Sequence, residues 1–147
     1  MALIGQLRDG TQPDVIDLVV KNVAGATATT GYAVSYTTTA ASLNGANVVL
    51  PAASQIATFV GLTLADIPDN GVDAVRASGY VGSGFIFAIG SSVTNAVGIA
   101  LGPGVAGSNG VNSTGLKDFL GPVVALEAIG AAINSPGGYA KVLVRAL

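Results

Sequence analysis

No long apolar stripe of period 3.6 runs through this chain; short stretches of period-two alternation recur instead, separated by turn-forming residues. Residues 14–21, "DVIDLVVK", read as a first strand. Tyr32, Val34 and Tyr36 alternate with Ala33 and Ser35 ahead of Thr37-Thr38-Thr39, a pattern rich in β-formers. Asn44-Gly45 is a tight-turn signal, followed by a short strand over 46–50 that Pro51 stops. Pro68-Asp69-Asn70-Gly71 predicts a turn in which Pro presets φ while Asn and Gly accept φ > 0, and 72–77 follows as the partner strand. Residues 79–88, "GYVGSGFIFA", continue as strand, with glycines that predict bulges or bends. The glycine- and asparagine-rich stretch 102–115 reads as a long exposed loop, with a helical turn at 114–120. A final strand covers 139–147.

One cassette appears three times: "FVGLTL" at 59–64, "AVGIAL" at 96–101 and "GPVVAL" at 121–126. The first and third run on alike, through a Pro/Gly turn into a second strand ending in Arg, "GVDAVRA" and "YAKVLVRA". Alternation puts Val60, Leu62 and Leu64 on one face and Val97, Ile99 and Leu101 on another, with Gly61 and Gly98 opposite, where a small residue lets a neighbour come close. The third copy has Val123 in place of that glycine. Residues 123–133 are also alanine-rich enough for a helix, but the match to the first cassette favours strand and then turn. The expected architecture is therefore mainly β: a small barrel-like domain of hairpins over 14–147, with few short helical turns and an extended N-terminal arm over 1–13.

Composition sharpens this picture. The 147 residues (14.3 kDa) suit one domain; half are apolar and only 10% are charged, against about 25% in an ordinary soluble domain. Six basic and eight acidic residues must cover a surface of roughly 6,800 Å², about 500 Å² for each charge. Coverage of part of this surface by partners accounts for that sparseness, and a skin of Ser, Thr, Asn and Gly is the plainer alternative. A net charge of −2 without a basic run argues against a nucleic-acid partner. The most apolar stretches are interrupted by polar residues or too short to span a bilayer, so no membrane partner is expected, and the first ten residues lack a signal-peptide pattern. There is no cysteine.

Candidate chemistry is thin. The absence of histidine removes the usual general base and commonest metal ligand, and a Ser or Thr hydroxyl needs an activating base. Asp66, Asp69 and Asp73 cluster in "DIPDNGVD", but Pro68 replaces the middle ligand of a calcium loop and no Glu closes it. Gly102-x-Gly104-x-x-Gly107 follows a strand but is not followed by the helix that a dinucleotide fingerprint needs. No catalytic, cofactor or metal site is expected, so the chain is not expected to be an enzyme. Tyr32 and Tyr36, on one strand face, are candidates for stacking on a sugar, which makes a carbohydrate-binding or adhesion module on a virion or cell surface the alternative function.

The stretches "FVGLTLADIPDNGVDAVRASGYV", "NAVGIALG" and "GPVVALEAIGAAINSPGGYAKVLVRAL" resemble phage capsid cement (head decoration) proteins over roughly 56–147. The resemblance implies a barrel-like or tulip-like β domain, usually a homotrimer, on the outer capsid surface, where it clamps neighbouring major capsid subunits after assembly in the host cytoplasm. It transfers no catalytic residue. On this reading Leu3, Ile4 and Leu7 of the arm are expected capsid contacts, and Phe85 and Phe87 are expected at the oligomer seam.

Overall fold

The structure, a computed structural model, describes residues 15–37, 46–51, 58–86, 97–98, 100–103, 111–112, 122–127 and 138–146. They form nine strands and, among the described residues, no helix: β1 (Ile16–Asn22), β2 (Ala33–Tyr36), β3 (Asn47–Val49), β4 (Phe59–Thr63), β5 (Val72–Ile86), β6 (Ala100–Pro103), β7 (Val111–Asn112), β8 (Val123–Ala125) and β9 (Gly138–Arg145). The chain is mainly β, as the alternation and the turn residues predict. Leu3, Ile4, Leu7 and the rest of the 1–13 arm, Asn44-Gly45, Phe87 and the helical turn expected at 114–120 lie outside the described residues.

The strands hydrogen-bond into one sheet in the order β1-β3-β2-β4-β5-β7-β6-β8-β9. Because β1 also pairs with β5, the first five close into a barrel. The length of β5, 15 residues, is what connects this barrel to the remaining strands. Its first half lies antiparallel to β1 and its second half antiparallel to β9, with Ser78 at the handover. The stretches 72–77 and 79–88, read separately from the sequence, are thus one strand up to Ile86. The glycine-rich segment does bulge: between Val81 and Gly84 the register shifts, so Gly82 and Ser83 leave the β5–β9 ladder.

Two cores result. One, with Val20, Ala28, Val34, Val48, Val60, Ile67 and Val75, draws on the barrel strands and their connections. The other joins Ala33, Phe59, Leu62, Val81 and Ile86 to Leu101, Val123, Ala125, Ala140, Val142 and Val144 of the remaining strands. β4 serves both, and all five of its residues are buried.

That double duty corrects the expected faces of the first cassette. Val34 pairs with Gly61 and Ser35 with Phe59, which makes Val60 the extra residue of a bulge. Val60 therefore enters the barrel core, Leu62 the other core, and Leu64 is exposed. Gly61 meets the requirement of close approach, since a Cβ there would lie 2.2 Å from the Arg76 carbonyl oxygen. In the second cassette Val97 is exposed and Gly98 sits in a turn at φ +88° with open space around it, so that glycine serves backbone conformation and not close approach. The third cassette is strand over Val123–Ala125, as preferred over helix. The likeness of copies one and three is structural: β4 pairs antiparallel with β5, β8 with β9, and β5 and β9 run antiparallel to each other.

The 102–115 stretch is not one loop. Gly102 and Pro103 belong to β6 and pair with Asn112 and Val111 of β7, so two ladder steps frame the turn-formers between them.

Candidate functional site

Where β5 passes from the barrel to β9, a half-open cleft of about 370 Å³ is lined by Thr30, Thr63, Leu64, Arg76, Tyr80, Val81, Gly82 and Ser83. Its walls follow from backbone devices already visible in the sequence. The bulge turns Gly82 and Ser83 out to solvent, and Tyr80, 41% exposed, lies beside Gly82. On the other side Gly31 holds φ +80°, and a Cβ there would come within 2.3 Å of the Ser83 carbonyl oxygen. This close fit, with Phe85 N donating to the Gly31 carbonyl at 2.9 Å, fixes Thr30 opposite the bulge.

The polar groups of the cleft are largely committed within the chain. Arg76 donates from Nε and Nη2 to the two carboxylate oxygens of Asp17, and from Nη1 to the Tyr80 carbonyl. Thr63 Oγ1 donates to the Thr29 carbonyl at 2.6 Å and accepts from Tyr32 N at 3.0 Å. Thr30 donates its backbone N–H and its hydroxyl to Asp66 Oδ1, at 2.7 and 2.8 Å. Across the bulge, Lys141 pairs with Glu127 at 2.6 Å. The cleft can therefore offer shape, an aromatic face and hydroxyls, but no unpaired acid or base.

The three aspartates of "DIPDNGVD" are turn fasteners with separate donors. Asp66 binds Thr30; Asp69 accepts from Gly25 N at 2.9 Å and from the Asn70 side chain at 2.8 Å; Asp73 accepts from Ala74 N at 2.7 Å. Among the described residues no group of three or more His, Cys, Asp or Glu is placed to hold a metal ion. In this turn Gly71 N donates to the Pro68 carbonyl at 2.9 Å, and Asn70 takes φ +60°. Gly71 does not take positive φ; it is small because a Cβ would press on the Pro68 ring at 2.9 Å.

These contacts set the pH dependence. The two Thr30 donors hold the Asp66 carboxyl below its ordinary value of 3.8. Bonds from Lys141 lower Glu127 from 4.5, and Glu127 in turn raises Lys141 above 10.5. The carboxylates' contribution is complete above their unfolded values and lost as pH falls through the lower folded ones; that of Lys141 is complete below its unfolded value and lost as pH rises through the higher folded one. The melting temperature is expected to be level from about pH 6 to 9 and to fall outside that window. Asp66→Asn should make the acid limb shallower, with Glu127 still contributing to it, and leave the alkaline limb unchanged; scanning calorimetry across pH checks this.

Tyr32 and Tyr36 do not form one platform. Tyr32 precedes β2, in a turn where its N–H donates to the Thr29 carbonyl at 3.0 Å, and packs on Phe85 (centroids 5.0 Å apart), while Tyr36, within β2, packs against the barrel core. Phe85, half-buried, also meets Tyr139 edge-on at 5.2 Å, so it has aromatic neighbours within its own chain. Tyr80, Arg76 and Ser83 were not singled out by sequence reasoning as site residues; the available signal was the Gly-flanked "GYVGSG", whose bulge shapes the cleft.

No protein-family model, no curated protein and no solved structure matches the chain.

Proposed function

We propose that this chain is a structural virion protein that binds the outer surface of a phage capsid lattice as an oligomer and stabilises the head by clamping neighbouring major capsid subunits. The observation that carries the reading is the outward face of the β1/β5 ladder. Val19 stands opposite Ala74 and Lys21 opposite Val72, which makes Val19 and Val72 diagonal neighbours. They are 72% and 62% exposed, and Val15, just before β1, is 42% exposed. The Asp17–Arg76 pair on this ladder is mutually neutralised. Exposed apolar strand positions of this kind, on a chain with so little charge, mark a surface that works when covered.

The capsid setting is supported by the resemblance of residues 56–147 to head decoration proteins. The segment carrying Leu3, Ile4 and Leu7 leads into β1 at the same ladder and supplies further apolar anchors for the coat. We place the oligomer seam around Phe85 and Phe87, with Tyr139, half exposed, at its rim. Linked copies, each with modest contacts, hold the lattice by avidity. The reading assigns no catalytic step, cofactor, nucleic acid or membrane.

A Val19→Asp, Val72→Asp double variant tests it. Both positions face solvent, so the fold should survive. Co-sedimentation with expanded capsids is expected to weaken by tenfold or more, while light scattering reports the same oligomer as the unsubstituted chain. Unchanged capsid binding would remove this face from the contact.

A further inference from the structure

We propose that the cleft beside the β5 bulge is a binding site for a neutral saccharide, with the Tyr80 ring as its stacking face. This does not rest on the capsid reading, because the free chain in solution suffices to test it.

Several independent features of the cleft point to that ligand class. At about 370 Å³ it lies at the lower end of the range of small-molecule sites, roughly 300–1,000 Å³, and so suits one or two sugar rings. Its apolar walls are Leu64 and the Tyr80 ring, surfaces suited to the C–H face of a pyranose. Its rim carries hydroxyls. Those of Tyr80 and Ser83 belong to residues of the lining, with Lys141 an electrostatic neighbour of Tyr80, and the Thr30 hydroxyl, donating to Asp66, still has lone pairs to accept with. A ring with one apolar face and an edge of hydroxyls matches both sets.

The electrostatics argue against a charged ligand. The cation in the cleft, Arg76, is engaged by both oxygens of Asp17 and by the Tyr80 carbonyl, and the nearby Lys141 by Glu127. With both charges cancelled in place, nothing in the cleft calls for an anion. The shape depends on Gly31 at positive φ against the Ser83 carbonyl and on the bulge that sets Gly82 and Ser83 together opposite Lys141.

The test is saturation-transfer NMR on the full chain with maltotriose, cellotriose and chitotriose, followed by titration of the best probe while watching the Gly82 and Ser83 amides. Transfer to the ring C–H protons is expected, with a Kd of order 1 mM, as befits a shallow single site. Tyr80→Ala should weaken binding at least tenfold. Ser83→Ala, a surface change that leaves the fold alone, should weaken it severalfold. The inference is overturned if none of the three probes shows transfer at about ten times that concentration. It is equally overturned if binding survives both substitutions, or if a sulfated oligosaccharide or a coat-derived peptide displaces the neutral sugar from the Gly82 and Ser83 amides.

Discussion

Replacing Asn22 with aspartate is expected to destabilise the fold by about 3–5 kcal/mol, the cost of leaving an uncompensated charge among buried partners. Asn22 is only 1% exposed, at the end of β1. Its Nδ2 donates to the carbonyls of Ala26 at 2.7 Å and Ile67 at 2.8 Å, with a longer contact to Pro68, and its Oδ1 accepts from Ala24 N at 3.0 Å. The backbone of the same residue bonds to Gly71 and Asn70. One side chain thus ties the β1–β2 connection to the β4–β5 turn, using both donors and its acceptor. Aspartate is nearly the same size but turns a carboxylate toward carbonyl oxygens. For a chain of this length each kcal/mol lowers the melting temperature by about 2–4 °C, so a fall of about 10 °C is expected at neutral pH. The deficit should shrink in acid, where a protonated side chain regains one donor. Asn22→Ala, which only removes bonds, should cost less, about 1–3 kcal/mol. Urea denaturation at pH 7 and pH 4 measures both variants against the unsubstituted chain; a loss below about 1 kcal/mol for Asn22→Asp would refute the role.

The second large effect is expected at Gly61. A Cβ there would sit 2.2 Å from the Arg76 carbonyl oxygen and 2.7 Å from its carbon, both backbone atoms that no side-chain rotation can move. β4 is buried throughout and contributes to both cores, so any shift that relieves the clash disturbs both at once. Gly61→Ala is therefore expected to cost more than about 3 kcal/mol, beyond the usual penalty of overpacking, and to yield little soluble protein. Two controls set the scale. Gly25 has φ +74° but open space, so Gly25→Ala should show only the conformational penalty, about 1–2 kcal/mol. At Gly82 a Cβ makes ordinary contact with Tyr80, so Gly82→Ala should be nearly neutral. Equal losses at all three positions would contradict the close approach of β4 and β5.

These two sites show what the linear pattern can and cannot carry. Strands near 14–21, 72–77, 79–88 and 139–147, the turn at Pro68–Gly71 and the bulge in "GYVGSG" were legible because alternation, proline and glycine act locally, although the joining of 72–77 and 79–88 into one strand up to Ile86 was not. The small side chain at Gly61 was legible as a demand for space, but its neighbour was not, since Arg76 lies on another strand. Faces failed where a bulge or a turn intervened: the Val60 bulge sends Leu62 to a different core, and Tyr32 falls in the turn before β2, apart from Tyr36. Closure of the barrel depends on β5 being long enough to serve β1 and β9 in succession, which no local signal states. The cleft was hidden for the same reason. Thr30, Tyr80 and Ser83 are unremarkable as residues and become a site only when Gly31 packs against the bulge. Asn22 falls just past the strand read over 14–21, and its burial follows from a turn 45 residues away.

The proposed role of this β domain, covering and holding a capsid lattice, can be tested directly. The most direct measurement adds the purified chain to expanded capsids that lack any decorating protein, then counts bound copies per coat subunit by quantitative gel and cryo-electron microscopy. Saturable binding at a fixed ratio, in clusters at local symmetry axes, with capsids that withstand higher temperature, is the predicted result. A stable monomer that leaves capsids bare and their melting unchanged would contradict it.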